Sequence, residues 1–274
     1  MMKQLISFRW ILTTLLVIAA VGVMIRLGFW QLDRLEWRRA FNDRVLSQIN
    51  AEPLDLNTNQ PVSELYDMEY RTVTVRGEYD FSQEVLLRNQ VWENQLGFHV
   101  LTPLRIEGSD WYVLINRGWI PFEEGAPTLR DKYHEGGVVT VQGMIRRGQE
   151  KPDFGGVPDP TLAPGELRLD AWNVVNLPRI GDQSGLKLLP VYIQQAPEPA
   201  WTALPYRSLP EIEISEGSHM SYAIQWFTYA ATLAVGYPFF VRRQLRKKEE
   251  KEGAQPGETV GQLAAEAGRS IDHG

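Results

Sequence analysis

The chain has 274 residues, 43% of them hydrophobic and 23% charged, with a formal net charge of -6 and a pI near 5.4. This acidic balance excludes a nucleic-acid partner, because neutralising phosphates takes a basic face. The absence of cysteine excludes disulfides, thiolate metal sites, thiol-based copper delivery and a thiol nucleophile.

A mean hydropathy of -0.27 averages segments of opposite character, and reading in chain order separates them. After a short basic start (residues 1–9, with Lys3 and Arg9), Trp10 to Ile25 carries no charge, and Leu27 to Trp30 extends the run past Arg26, whose stem can snorkel. It exceeds the roughly 7–15 apolar residues of a signal peptide and lacks a good A-x-A site, so residues 10–30 are expected to be a transmembrane helix. Leu32, Leu35, Ala40, Phe41 and Val45 keep a helical spacing up to the break at Glu52-Pro53, which predicts a helical stalk opening the domain of residues 31–218.

Beyond the break the signals turn to strands: Arg71 to Asp80, Glu84 to Gln90, Gly97 to Ile106, Asp110 to Ile120, Val138 to Arg147 and Leu188 to Gln195. Short links such as Gly108-Ser109-Asp110 suit hairpins, so the expected fold is a mainly antiparallel β (α+β) domain, a meandering sheet or small barrel, flanked by two transmembrane helices. VTVRG (Val73 to Gly77) and VTVQG (Val139 to Gly143) repeat one pattern, which shared strand chemistry accounts for better than duplication, each with a glycine where a bulge could bend the strand. Lys151 to Gly165, rich in Pro, Gly and Asp, reads as a surface loop.

The second membrane helix is expected over residues 219–241, with Ser221 to Val241 about one hydrocarbon core long and aromatic residues at both ends. RRQLRKK follows it, whereas Glu211, Glu213 and Glu216 precede it, so both termini should be cytoplasmic and the central domain outside. Residues 242–274 are read as a basic stretch and then, from Lys247, a disordered tail.

The usual catalytic and nucleotide-binding signatures are absent, and no two histidines stand at metal-ligand spacing. A membrane-anchored hydrolase using Glu78 and Asp80 has only loose support. His219, at the rim of the second membrane helix, shares a helical face with Tyr222, Ala223 and Trp226. Haem needs an axial nitrogen, an apolar slot and cationic groups for two propionates, for which Arg117, Arg34 and Arg26 are candidates. The residues alone leave a second reading open, in which His219 is an interfacial polar residue at the helix start, with Ser218 as its cap. NRGWIP (Asn116 to Pro121) likewise reads either as a binding cluster or as a cation–π pair closing the sheet.

LGFWQLDRLEWR at the first anchor, NRGWIP in the domain and GSHMSYAIQWF entering the second helix, in this order, resemble the surfeit-locus cytochrome c oxidase assembly family over most of residues 9 to 243. The resemblance implies a non-enzymatic biogenesis factor of the bacterial inner membrane that assists haem a insertion into the oxidase catalytic subunit, with haem a synthase and other assembly factors as further partners. It implies haem a binding at His219, the candidate iron ligand, favouring that reading over the interfacial one. Tyr222, Gln225, Trp226 and Arg117 also match family motifs and complete the expected cofactor site. The alternative is a membrane scaffold that stabilises oxidase assembly intermediates without haem.

Overall fold

The structure, a computed structural model, describes residues 8–58, 61–162 and 165–253. Lys3, His273 and the part of the expected disordered tail beyond residue 253 lie outside the described residues. The chain forms two compact units, Met1–Phe41 with Ser215–Gly274, and Asn42–Ile214.

In the first unit, α1 is a single helix, Phe8–Ile49, of 42 residues, whose last turns belong to the second unit. Its leucines, alanines and arginines are strong helix formers, and no proline interrupts it before Pro53. Among the described residues it is the one helix long and apolar enough to cross a membrane, with a window of mean hydropathy 2.2. The expected second membrane helix forms within His219–Gly253 but does not reach that apolarity. Its stretch to Val241 is uncharged, yet Ser221, Gln225, Thr228, Thr232 and three tyrosines dilute the apolar residues. It also continues past Val241, so Lys247 to Gly253, expected to be disordered, is helical. Arg, Lys, Glu and Gln are good helix formers and propagate a helix already nucleated upstream.

The long C-terminal helix pairs antiparallel with α1. Thr14 and Tyr237 share a hydroxyl hydrogen bond of 2.7 Å, Phe29 and Phe227 meet edge to face, and Arg39 grips Glu216 through two bonds of 2.9 Å. Positions that rise along α1 thus fall along its partner. A Cβ at Gly28 would overlap the Phe227 ring, so glycine there lets the two helices approach closely.

The second unit is an eight-stranded sheet in the order β1-β2-β6-β8-β5-β4-β3-β7. Its strands are β1 (Leu54–Asp55), β2 (Thr72–Tyr79), β3 (Val85–Trp92), β4 (Gln95–Ile106), β5 (Tyr112–Pro121), β6 (Val138–Arg147), β7 (Ala171–Trp172) and β8 (Leu188–Gln195). Because β2 also pairs with β4, the strands β2, β6, β8, β5 and β4 close into a barrel. Valine, isoleucine and leucine from all five fill it, including Val75, Leu104, Ile115, Val141 and Ile193. The expected β domain is therefore present, but it is not a simple meander. β8 returns beside β5 in parallel, and β1–β2 and β3–β7 are parallel too. The parallel β5–β8 pair is joined through the whole stretch between them, which includes β6 and a helix at Leu177–Ser184. This helix is only 8 residues long, capped by the Asn176 side chain and stopped by Gly185 in the left-handed region, too short to show as a periodic segment.

VTVRG and VTVQG face each other across the sheet, Val73 opposite Gly143 and Gly77 opposite Val139. Gly77 also pairs with Ile106, so it sits where β2 bridges two neighbours, and a Cβ there would overlap the Arg105 carbonyl oxygen. Gly77 thus permits close strand approach at the closing seam, and Gly143 does so between β6 and β8, where a Cβ would overlap the Gln194 carbonyl oxygen; neither forms a bulge.

His99 on β4 accepts at Nδ1 a hydrogen bond of 3.0 Å from the Asn116 amide on β5. Burial disfavours its charged form and lowers its pKa from 6.5 to about 4. Since the unfolded chain takes up the proton first, this contribution to stability is complete above pH 6.5 and is lost as pH falls towards 4. Denaturant melts over that window should show a fall for the wild type that is shallower in His99→Gln; equal slopes would remove His99 as the cause.

Candidate functional site

The residues singled out by the sequence fall in two places. His219, Tyr222, Gln225 and Trp226 lie on the C-terminal helix of the first unit, and Arg117 lies inside the barrel domain.

Arg117 occupies a bulge. Val100 pairs with Gly118 and Leu101 with Asn116, so β5 has one residue more than β4 at this point, and that residue is Arg117. Gly118 takes φ +124°, a conformation open to glycine, and a Cβ there would overlap the Tyr206 carbonyl. The bulge sends Arg117 into the interior, where it is 1% exposed. Its guanidinium meets Glu84 at 3.4 Å and Glu135 at 3.0 Å, donates to the Tyr133 carbonyl and lies over the rings of Tyr79 and Phe81. Glu84 also accepts from the Thr102 hydroxyl at 2.7 Å and faces Arg130 at 3.6 Å. Trp119, next in the motif, pairs its backbone with Tyr206 and stacks parallel to that ring.

NRGWIP is thus an internal brace, although its Arg117 lies over Tyr79 and Phe81 and its Trp119 stacks on Tyr206, not on one another as the sequence reading supposed. Arg117, expected to meet a haem propionate, is buried in the barrel domain with its guanidinium paired to Glu84 and Glu135. Glu84→Gln would leave Arg117 and Arg130 facing one carboxylate fewer in the interior. A loss of about 3–5 kcal/mol from chemical unfolding is expected, whereas a change under 1 kcal/mol would contradict this role.

His219 has different surroundings. It opens the helix two residues after Gly217, which takes φ +66°, and its Nδ1 lies 2.8 Å from Oε1 of Gln31 on α1. An amide oxygen only accepts, so the contact takes a proton on Nδ1, and in the neutral ring this leaves the lone pair on Nε2. Among the described residues Nε2 has no hydrogen-bond partner. Gly217 lies beside that nitrogen, a Cβ there falling 3.7 Å from Nε2, at ordinary van der Waals distance. The preceding loop is held to α1: Arg38 donates to the Ser215 carbonyl at 2.9 Å, and the Arg39 guanidinium keeps the Glu216 carboxyl below its ordinary pKa.

Tyr222 and Trp226 follow one and two turns along from His219, Tyr222 half-exposed and Trp226 edge-on to Tyr229. Gln225 donates to the Tyr229 hydroxyl at 2.9 Å rather than facing His219. The stripe then runs into an apolar groove of about 490 Å³ lined by Met24, Tyr229, Leu233 and Phe240. Arg34 lies one turn beyond Gln31 on α1, over the Trp37 ring, and Arg26 is exposed more than a turn before it. An unengaged imidazole nitrogen beside a glycine, flat aromatic surface and an arginine one turn away match the donor set that a haem requires. Among the described residues there is no group of three or more His, Cys, Asp or Glu that could hold a bare metal ion.

Sequence reasoning passed over Gln31. It appears in the first motif, but nothing in linear spacing indicates that it meets a residue 188 positions away.

A family model described as the SURF1 family matches residues 18–231 of the chain. A SURF1-like protein of Caenorhabditis elegans is 25% identical over 241 residues, covering 81% of this chain and 72% of that protein. Surfeit locus protein 1 of Mus musculus is 26% identical, covering 79% and 72%, and that of Takifugu rubripes is 25% identical, covering 79% and 90%.

Proposed function

The chain belongs to the SURF1 family, and from that membership we propose that it is a non-enzymatic assembly factor for haem–copper cytochrome c oxidase, holding haem a at His219 and assisting its insertion into the catalytic subunit. The observation that carries this reading is His219 itself, its Nδ1 tied to Gln31 and its Nε2 unengaged beside Gly217. When bound, haem would supply an iron that a nitrogen ligand can hold. His219 offers the nitrogen, Tyr222 and Trp226 offer a flat apolar flank, and Arg34 offers a cation for a propionate. Gln225 acts at one remove, fixing the Tyr229 ring.

In the same reading both long helices span the bacterial inner membrane. Their antiparallel pairing supports this, because two helices joined from Thr14–Tyr237 to Arg39–Glu216 would cross together and return the chain to its starting side. Arg242, Arg243, Arg246 and Lys247 support a cytoplasmic assignment for that side, and in this reading His219 is at the outer surface and the barrel domain in the periplasm. The barrel would then dock on the oxidase catalytic subunit or on haem a synthase.

The test is a titration of detergent-purified full-length protein with haem a. The wild type should develop a Soret band with saturable one-to-one binding, and His219→Ala should lose it while keeping its helical circular dichroism. Absence of stoichiometric haem in the wild type would leave the scaffold alternative in its place.

A further inference from the structure

We infer that Gln31 is the positioning residue of the haem site: its side-chain oxygen fixes which nitrogen of His219 faces the iron and sets how strongly that nitrogen donates. The inference rests on the haem-binding reading above.

An isolated histidine exchanges its ring proton between two nitrogens and turns about two side-chain bonds. A carbonyl acceptor 2.8 Å from Nδ1 removes both freedoms, since it holds the proton on Nδ1 and aims Nε2 away from α1. The acceptor is itself held from both sides. Towards the loop, Arg38 and Arg39 bind Ser215 and Glu216, and in the other direction Phe29 packs edge to face on Phe227, two residues before Gln31 on α1. The His219–Gln31 contact is therefore an interior rung of a ladder with fixed neighbours, unlike a surface pair that is free to part. Gly28, one turn before Gln31, brings the helices to the separation at which an amide can reach the ring. Partial transfer of the Nδ1 proton towards its acceptor makes the imidazole a stronger donor, so the identity of residue 31 should appear in the iron's reduction potential as well as in affinity.

The experiment uses the full-length protein in detergent, haem a as the probe, and four forms: wild type, His219→Ala, Gln31→Leu and Gln31→Glu. Each is read by Soret titration and by spectroelectrochemical midpoint potential. Gln31→Leu, which removes the acceptor while keeping an apolar helix surface, should weaken haem binding by about 10–100-fold. Gln31→Glu, which keeps an acceptor and strengthens it, should bind like the wild type but with a more negative midpoint potential. Helix packing alone would not move the potential. If His219→Ala loses haem while Gln31→Leu binds as the wild type does with an unchanged potential, the role given to Gln31 is wrong and the haem reading stands. If wild type and His219→Ala behave alike, the haem reading falls and this inference with it. Should Gln31→Leu fail to fold, Gln31→Glu decides alone: a more negative potential supports the assignment and an unchanged one overturns it.

Discussion

Arg117 cannot lie in the barrel interior uncompensated, and much of the domain's architecture follows from that constraint. Removing a guanidinium from water costs several kcal/mol unless carboxylates and carbonyls replace the hydration. The bulge in β5 puts the side chain inside, Glu84 arrives at the start of β3, and Glu135 follows the turn after Tyr133. Thr102 donates to the Glu84 oxygen that Arg117 also meets, Arg130 faces the other oxygen, and Arg207 joins through Glu135 at 3.4 Å. Five separate stretches of chain are drawn to one point. The neighbouring Tyr79 hydroxyl, pushed upward in pKa by burial, remains neutral within the cluster.

The helical unit answers a similar constraint with neutral groups. Thr14 meets Tyr237 and Gln31 meets His219, each polar side chain finding a partner across the helix pair. Such bonds fix the register of two otherwise apolar surfaces, for which dispersion alone would tolerate sliding. Register is what a ligand site at the end of the hairpin needs, because a shift of one turn would carry Gln31 away from the imidazole. In the proposed haem-binding reading, the same contact that orders the helices also orients the His219 ring.

Much of this was legible from residues alone, for local reasons. The six long strands announced themselves by β-branched and aromatic runs, and α1 by an apolar run that kept a helical spacing to Pro53. What escaped depends on chain closure. The two-residue strands β1 and β7 and the one helix in the β6–β8 connection are too short to carry a period, and the parallel entry of β8 beside β5 is a choice of topology. The site divided in the same way. The position of His219 at the start of a helix was legible from the sequence. The burial of Arg117 was not, because a bulge reverses the direction that strand alternation assigns to a side chain. Gln31 was printed in a motif without a role, since its partner lies at the far end of the chain.

The central claim is that Nε2 of His219 ligates haem iron. It is tested most directly by resonance Raman spectroscopy of the ferrous haem a complex, prepared with natural and ¹⁵N-labelled histidine. The account predicts an iron–histidine stretching band that shifts on labelling; a haem complex without an isotope-sensitive band of this kind would contradict it.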